Sequence, residues 1–349
     1  MTNLRCDNDI SKDVELLIRR VGIGFEPLRG KTVFVTGGTG FFGIWMISAL
    51  VAIKRALNGE LRLIALSRDP EKFLERYKTT DLATQIEYLC GDVRDFKLGN
   101  SNVTHLVHMA NTSAEETFLG HDQLNKIELL YSGTRNVLEQ CGRTLENVLF
   151  TSSGVAYGIN SKPLISEDDF SGLDTTDISS ALGVGKLTAE FLVAYFAPKF
   201  NYSYSVARCF AFAGQHLPLN IHYAFGNFIY NALEGKDIII RSDGQDVRSY
   251  LYIGDAITWL LRLLIEPKNQ MFNVGSSRSV SIESLAHKIA YLAKFPVKVK
   301  IHSIIGQEGN FRRVSYIPST RKLTAAYPEL AEWTSLNEII SKMLCFNST

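Results

Sequence analysis

From Thr36 to Gly43 the chain reads Thr-Gly-Gly-Thr-Gly-Phe-Phe-Gly, with Gly37, Gly40 and Gly43 spaced by three. This spacing suits the diphosphate of a dinucleotide. Gly37 permits a tight turn, Gly40 lets backbone N–H groups approach the pyrophosphate, and Gly43 lets the next helix pack close to its strand. A helix N-terminus adds partial positive charge. The same glycines could form a turn without a ligand, but a strand before them and a helix after them point to a phosphate cradle. Other chemistry is harder to build. Cys6, Cys90, Cys141, Cys209 and Cys345 are scattered and odd in number, with no CxxC pair. They suggest neither a disulfide framework nor a zinc site, and a reducing cytosol is expected.

The turn needs elements to hold it. Residues 32–36 (TVFVT) form the short β-branched run expected of a strand covered on both faces. A helix follows the turn to about residue 57. Strands are then expected over 61–66, 86–90, 104–109, 147–153 and 204–210, and helices over 70–77, 122–140 and 180–196. This alternation with short links predicts an α/β fold, a doubly wound parallel sheet with right-handed crossovers. Residues 238–255 read as a strand, a turn at Asp243-Gly244 and another strand, with helices at about 256–265 and 281–294.

Three regions follow: an N-terminal extension (1–30), a dinucleotide-binding domain (31–210) and a mainly substrate-binding lobe (211–349) between which the chain can cross. In the extension, Ser11 could cap an amphipathic helix whose apolar side carries Val14, Leu16, Leu17 and Ile18.

Composition narrows the partners. The 349 residues are 46% hydrophobic and 21% charged, enough apolar surface for a full core. Lys and Arg total 37 against 36 Asp and Glu, a net charge of +1. That leaves no electrostatic footprint for nucleic acid or an anionic membrane, so an anionic ligand must meet locally placed cations. The polar start is unlike a secretory signal, and the apolar run 44–53 is too short to span a bilayer. A cytoplasmic protein is expected.

Further stretches fall in a familiar order. Gly91-Asp92-Val93-Arg94 follows the third strand and His108-Met109-Ala110-Asn111 closes the fourth. Thr151-Ser152-Ser153 ends the fifth, ahead of Val155-Ala156-Tyr157-Gly158. Lys186 precedes Thr188-Ala189-Glu190, and Arg208-Cys209-Phe210 ends the sixth. Residues 244–252 read Gly-Gln-Asp-Val-Arg-Ser-Tyr-Leu-Tyr, and Asn273-Val274-Gly275 comes later. With the TGxxGxxG turn, these resemble the extended short-chain dehydrogenase/reductase family, in its branch of NAD(P)-dependent nucleotide-sugar epimerases, dehydratases and reductases. The resemblance spans residues 31 to about 330. It implies a Rossmann fold with a smaller C-terminal substrate lobe, a nucleotide-diphosphate sugar as substrate, and a homodimer formed through helices near 122–140 and 180–196. It places the chain in surface-polysaccharide or antibiotic-sugar synthesis.

The resemblance assigns cofactor contacts to Gly37, Thr39, Gly40, Phe41, Phe42, Gly43, Asp92, Val93, Met109, Ala110, Asn111, Lys186, Cys209 and Phe210. The end of the second strand selects the dinucleotide: a carboxylate accepts from the ribose 2′-OH, whereas an Arg accommodates a 2′-phosphate. Here the strand ends Leu66-Ser67-Arg68, and Asp69 falls at the next helix's N-cap before Pro70. Ser67 and Arg68 favour NADP(H). NAD is the alternative if Arg68 stacks on adenine.

In the resembling family a Tyr and a Lys four residues apart share a helix face. The Lys lowers the phenol's pKa and holds the nicotinamide ribose, the Tyr moves a proton at the sugar oxygen, and a Ser or Thr bonds that same oxygen. Ser153 and Lys186 fill two of these places, but the third is Leu182, where the family would read SAYGVGK. Leucine has no proton to give, which forfeits roughly 10²–10⁴-fold. Three readings follow: a substitution that inactivates the chain; a natural sequence in which Tyr157, or water relayed through Ser153, takes over; or a nucleotide-sugar binder without redox chemistry.

The Asp-Glu pair of the family's 4,6-dehydratases is replaced by Gly154 and Val155, so dehydration is disfavoured. A ketoreductase acting at C4 of an NDP-4-keto-6-deoxy sugar is expected, with an NAD-retaining 4-epimerase as the alternative. The resemblance assigns the substrate's phosphates to Arg248, Asn227 and Arg312 (beside Arg313), while the family's RxFN asparagine is Ala211. Phe210, Phe212 and Tyr223 could line the sugar pocket, and His216 and His222 lie in a nearby loop.

Overall fold

The structure, a computed structural model, describes residues 10–21, 24–112, 122–160, 162–170, 172–219, 223–302 and 316–347. Seven parallel strands form the central sheet. They are β1 (Lys31–Thr36), β2 (Leu61–Ser67), β3 (Glu87–Cys90), β4 (His105–His108), β5 (Asn147–Ser153), β6 (Ser203–Cys209) and, after four short strands, β11 (Gln270–Val274). The order is β11-β6-β5-β4-β1-β2-β3. Strand order reverses on the two sides of β1, whose Thr36 pairs with Leu66 of β2 and His108 of β4. In open α/β sheets such a switch point leaves a crevice at the strands' carboxyl ends. The glycine turn lies at its mouth.

The strands are apolar on both faces because helices cover both. On one face the helix Phe41–Ala56 and the helix Ile253–Ile265 share a core with Val33, Val35, Leu63 and Val107. On the other, the helices Gln123–Cys141 and Ala181–Phe200 pack together over Phe34, Ile64, Leu106 and Phe150. Asp69 caps the helix Pro70–Tyr77, accepting from the Lys72 N–H at 3.0 Å.

The last third departs from a simple hairpin. The expected turn forms at Gly244 (φ +72°), but the strands either side of it, β8 (Ile238–Ile240) and β9 (Val247–Ser249), do not pair with each other. β8 runs parallel to β13 (Val299–Ile301), and β9 runs antiparallel to β12 (Ser279–Ser281). Partners distant in sequence outcompete the local one. Two smaller strands, β7 (Phe212–Ala213) and β10 (Leu251–Tyr252), pair in parallel. The chain also crosses back: β11 completes the main sheet beside β6.

The extension is a packed part of the fold. Its helix Ser11–Val21 buries Ile10, Val14 and Leu17 against the first core, while Leu16 stays 46% exposed. Asp13 accepts from Tyr252 Oη and Gln215 Nε2, both at 2.9 Å, and pairs with Lys342 at 2.6 Å. Cys90, Cys141 and Cys209 are free, and Cys345 is disulfide-bonded. Sequence spacing, scattered as it is, gave no sign of that bond.

Candidate active site

Gly37 has φ +73°, and a Cβ there would stand 2.8 Å from the Met109 carbonyl oxygen, so the turn lies directly on the end of β4. A Cβ at Gly43 would collide with the Gly37 oxygen at 2.2 Å. Gly40 differs: a Cβ would meet only that oxygen, at 3.7 Å, so its outer face is open. Gly40 is the N-cap of the helix Phe41–Ala56, with no side-chain cap and no acidic group in the first turn. A cradle open at Gly40 beneath uncapped helix N–H groups fits a diphosphate. Phe41 and Phe42 are partly buried, and Phe42 packs edge-on to Phe212 with ring centres 4.9 Å apart.

The strand ends beneath the turn are cross-linked by polar side chains. Thr36 Oγ1 lies 2.7 Å from His108 Nδ1 and accepts from the Ala110 N–H at 3.2 Å. His108 Nε2 reaches Thr134 Oγ1 at 2.9 Å, and burial pushes this imidazole's pKa down to about 3. A neutral His108 thus fixes the backbone of Met109 and Ala110. Asn111 is exposed just beyond.

At the far end of the crevice, Ser67 Oγ lies 3.5 Å from Thr39 Oγ1 and accepts from the Asp69 N–H at 3.2 Å. Arg68 is exposed. Asp92 is bound by Arg94 at 2.8 Å, and that hydrogen bond holds its carboxyl below the usual range. Val93 is buried. The Asp69 carboxylate is committed to its cap.

Lys186 is buried in the helix Ala181–Phe200. Its Nζ donates to the Thr151 carbonyl at 2.8 Å and lies 5.0 Å from the Phe150 ring centre. Burial lowers its pKa to about 8, partly opposed by Cys209 and Glu190. Leu182, one turn earlier, is half-buried and packs on the second core. Ser153 ends β5 in register with Cys209 of β6 and accepts from the Val155 N–H at 3.3 Å, capping a short turn over Gly154–Tyr157. Burial lifts the Cys209 thiol to about 12. Ser153, Lys186, Cys209 and the buried Phe210 therefore meet at adjoining strand ends.

Tyr157 takes no part there. It is fully buried, donates to Asn273 Oδ1 at 2.8 Å, and carries the Arg208 guanidinium 4.3 Å from its ring centre. Its hydroxyl braces β11, a packing role, and is not turned to the place of the missing phenol. His216 packs against Tyr77 and Phe346, with its pKa lowered to about 4 by burial. Arg248 is partly exposed in β9, Asn227 lies in the first turn of the helix Ala224–Leu233, and Tyr223 is 53% exposed at its N-cap. Ala211 links the two regions by accepting from the Leu251 N–H at 3.1 Å. Arg312, Arg313 and His222 lie outside the described residues.

Two functional features go beyond the candidates named from sequence. Glu190 binds Arg208 in a fork, at 2.9 and 2.7 Å, and accepts a very short bond from Ser152. This clamps the lysine helix to β5 and β6. Its position four residues after Lys186 was a usable signal. Tyr316 packs on Phe210 with ring centres 4.8 Å apart, and its hydroxyl sits against Gly154, next to Ser153. No local signal marks it.

Comparison with known proteins agrees with this geometry. A family model described as the NAD dependent epimerase/dehydratase family matches residues 33–275. UDP-glucuronic acid decarboxylase 6 of Arabidopsis thaliana is 24% identical over 79% of this chain and 80% of its own length. UDP-N-acetyl-alpha-D-glucosaminuronate decarboxylase of Bacillus cytotoxicus is 23% identical over 77% and 82%. Among solved structures, an epimerase of Methanothermobacter thermautotrophicus superposes with TM-score 0.76, 21% identity and 95% coverage of both chains. UDP-glucuronic acid 4-epimerase of Bacillus cereus, in complex with UDP-glucuronic acid and NAD, gives 0.73 and 20%, covering 90% of this chain and 98% of its own.

Proposed function

The chain belongs to the NAD-dependent epimerase/dehydratase family, and from that premise we propose that it is a nucleotide-sugar oxidoreductase that reduces the ketone at C4 of an NDP-4-keto-6-deoxy sugar. The end of β2 carries the reading: Ser67 and Arg68 suit NADP(H), which a reductase exchanges at each turnover. Oxidising an alcohol needs a base for the hydroxyl proton. Reducing a ketone needs a hydride and a proton for the resulting alkoxide, and a neutral donor can give the latter. With leucine at 182, that proton must come from another neutral hydroxyl of the site. Gly154 and Val155, lacking carboxyl groups, argue against dehydration.

The bound dinucleotide supplies the hydride. This chain's residues cradle its diphosphate at Gly37, Gly40 and Gly43, set Lys186 near its ribose and orient the sugar oxygen through Ser153. Arg248 and Asn227 hold the substrate's phosphates. We propose NADP(H) over NAD, because Asp69 is occupied as a helix cap while Ser67 and Arg68 end β2. A homodimer is proposed through the helices Gln123–Cys141 and Ala181–Phe200, supported by their exposed Tyr131, Phe191 and Tyr195.

A second reading, 4-epimerisation with retained NAD, draws support from the Bacillus cereus relative, whose structure holds NAD. Calorimetry with NADPH and NADH, and identification of any dinucleotide that co-purifies, tests the proposal. NADPH is expected to bind at least about tenfold more tightly, roughly 1.4 kcal/mol, and Arg68→Ala to erase the difference. Stoichiometric NAD retained through purification would instead favour the epimerase.

A further inference from the structure

Tyr316 enters the site from near the C-terminal end of the chain. Its backbone bridges to Arg248, the arginine assigned to the substrate's phosphates. Its ring leans on Phe210, and its hydroxyl sits against Gly154, the residue between Ser153 and Val155. A second observation shows that the fold makes room for this hydroxyl. Gly154 has no positive φ that would call for glycine, yet a Cβ there would stand 2.8 Å from Tyr316 Oη and 2.9 Å from the Phe210 ring. A side chain at 154 would force this hydroxyl and the Phe210 ring to shift. Lys186 donates to the Thr151 carbonyl, two residues before Ser153, so the ammonium and the phenol approach the same strand end.

We propose that Tyr316 supplies, through Ser153, the proton that Leu182 cannot, so that the departures at 154 and 182 are two halves of one rearrangement. This rests on the reductase reading and deepens it. The balance is closed. The ketone carbon receives a hydride from the reduced dinucleotide, which leaves oxidised, and the carbonyl π pair becomes an alkoxide. The alkoxide takes the Ser153 hydroxyl proton, Ser153 takes the Tyr316 phenolic proton, and the phenolate recovers a proton from water. Burial lifts the Tyr316 phenol to about 12. It is therefore protonated at neutral pH, as a donor must be, and poorly suited to act as the base that starts an oxidation.

The test uses the full chain with NADPH and UDP-4-keto-6-deoxyglucose, alongside NMR of tyrosine labelled with ¹³C at Cζ. Tyr316→Phe is expected to lower kcat roughly 10²–10⁴-fold with KM unchanged. Gly154→Ala, which keeps the phenol but displaces its hydroxyl, should lower kcat in the same direction. The resonance missing from Tyr316→Phe should shift in the wild-type spectrum when UDP-glucose binds. An unchanged kcat in a folded Tyr316→Phe chain, or a resonance that stays put on binding, overturns the proposal. A wild-type chain that binds UDP-glucose but reduces no ketone overturns the reductase reading instead, and the resonance then decides for Tyr316. UDP-glucose that fails to bind overturns both.

Discussion

A lysine ammonium enclosed against β5, with one carbonyl at 2.8 Å, is held at a cost in solvation. Its folded pKa of about 8 lies below the ordinary value of 10.5. Between these values the unfolded chain binds the extra proton, so stability rises with pH through the window. Lys186→Met should flatten that rise, by up to about 3 kcal/mol between pH 7 and pH 10, as read from urea midpoints. Leu182→Tyr restores the phenol one helical turn before the ammonium. Introduced into the Tyr316→Phe chain, it should give faster hydride transfer in stopped-flow absorbance by at least about tenfold, toward the 10²–10⁴-fold scale of proton-transfer help. No increase would mean that this helix face does not meet the sugar. The place of Ser153 and Lys186 in the fold was readable because motif and strand end coincide. That of Tyr316 was not, because only the packing of Phe210 and Gly154 brings it there.

At the scale of elements, the β/α rhythm was legible from β1 to β6 because each strand is a short apolar run bounded by turn residues. β11 was harder to place: it joins the sheet only after the lobe's strands have intervened, and its pairing with β6 is a long-range choice. The same limit concealed the pairings of β8 and β9. The helix Ala181–Phe200 is apolar enough by composition to pass for a membrane span, yet half of that stretch is buried within the fold, Lys186 included. The contact between strand and first helix gives a further prediction. Gly→Ala inside a helix ordinarily gains about 0.5–1 kcal/mol. At Gly43 the sign should reverse, to a loss of about 1–3 kcal/mol, because the methyl would overlap the Gly37 oxygen. Thermal melts would show this, together with weakened NADPH binding.

For the molecule as a whole, burial holds three imidazoles neutral. His105 and His216 have pKa values of about 4, and His108 about 3. Unfolded, each protonates near 6.5, so acidification favours the unfolded chain. Stability should fall as pH drops from about 6.5 toward 4, by as much as about 1.4 kcal/mol per unit for each group. A urea midpoint at pH 5 equal to that at pH 7 would contradict this. Three long-range ties meet at Asp13. One carboxylate joins the first helix to Tyr252, Gln215 and Lys342, and Trp45 beneath the glycine turn donates to the Gln215 carbonyl at 3.0 Å. The opening segment therefore works as a keystone. Trimming it would unseat the loop behind the cradle and loosen the glycine turn from the rear of the protein.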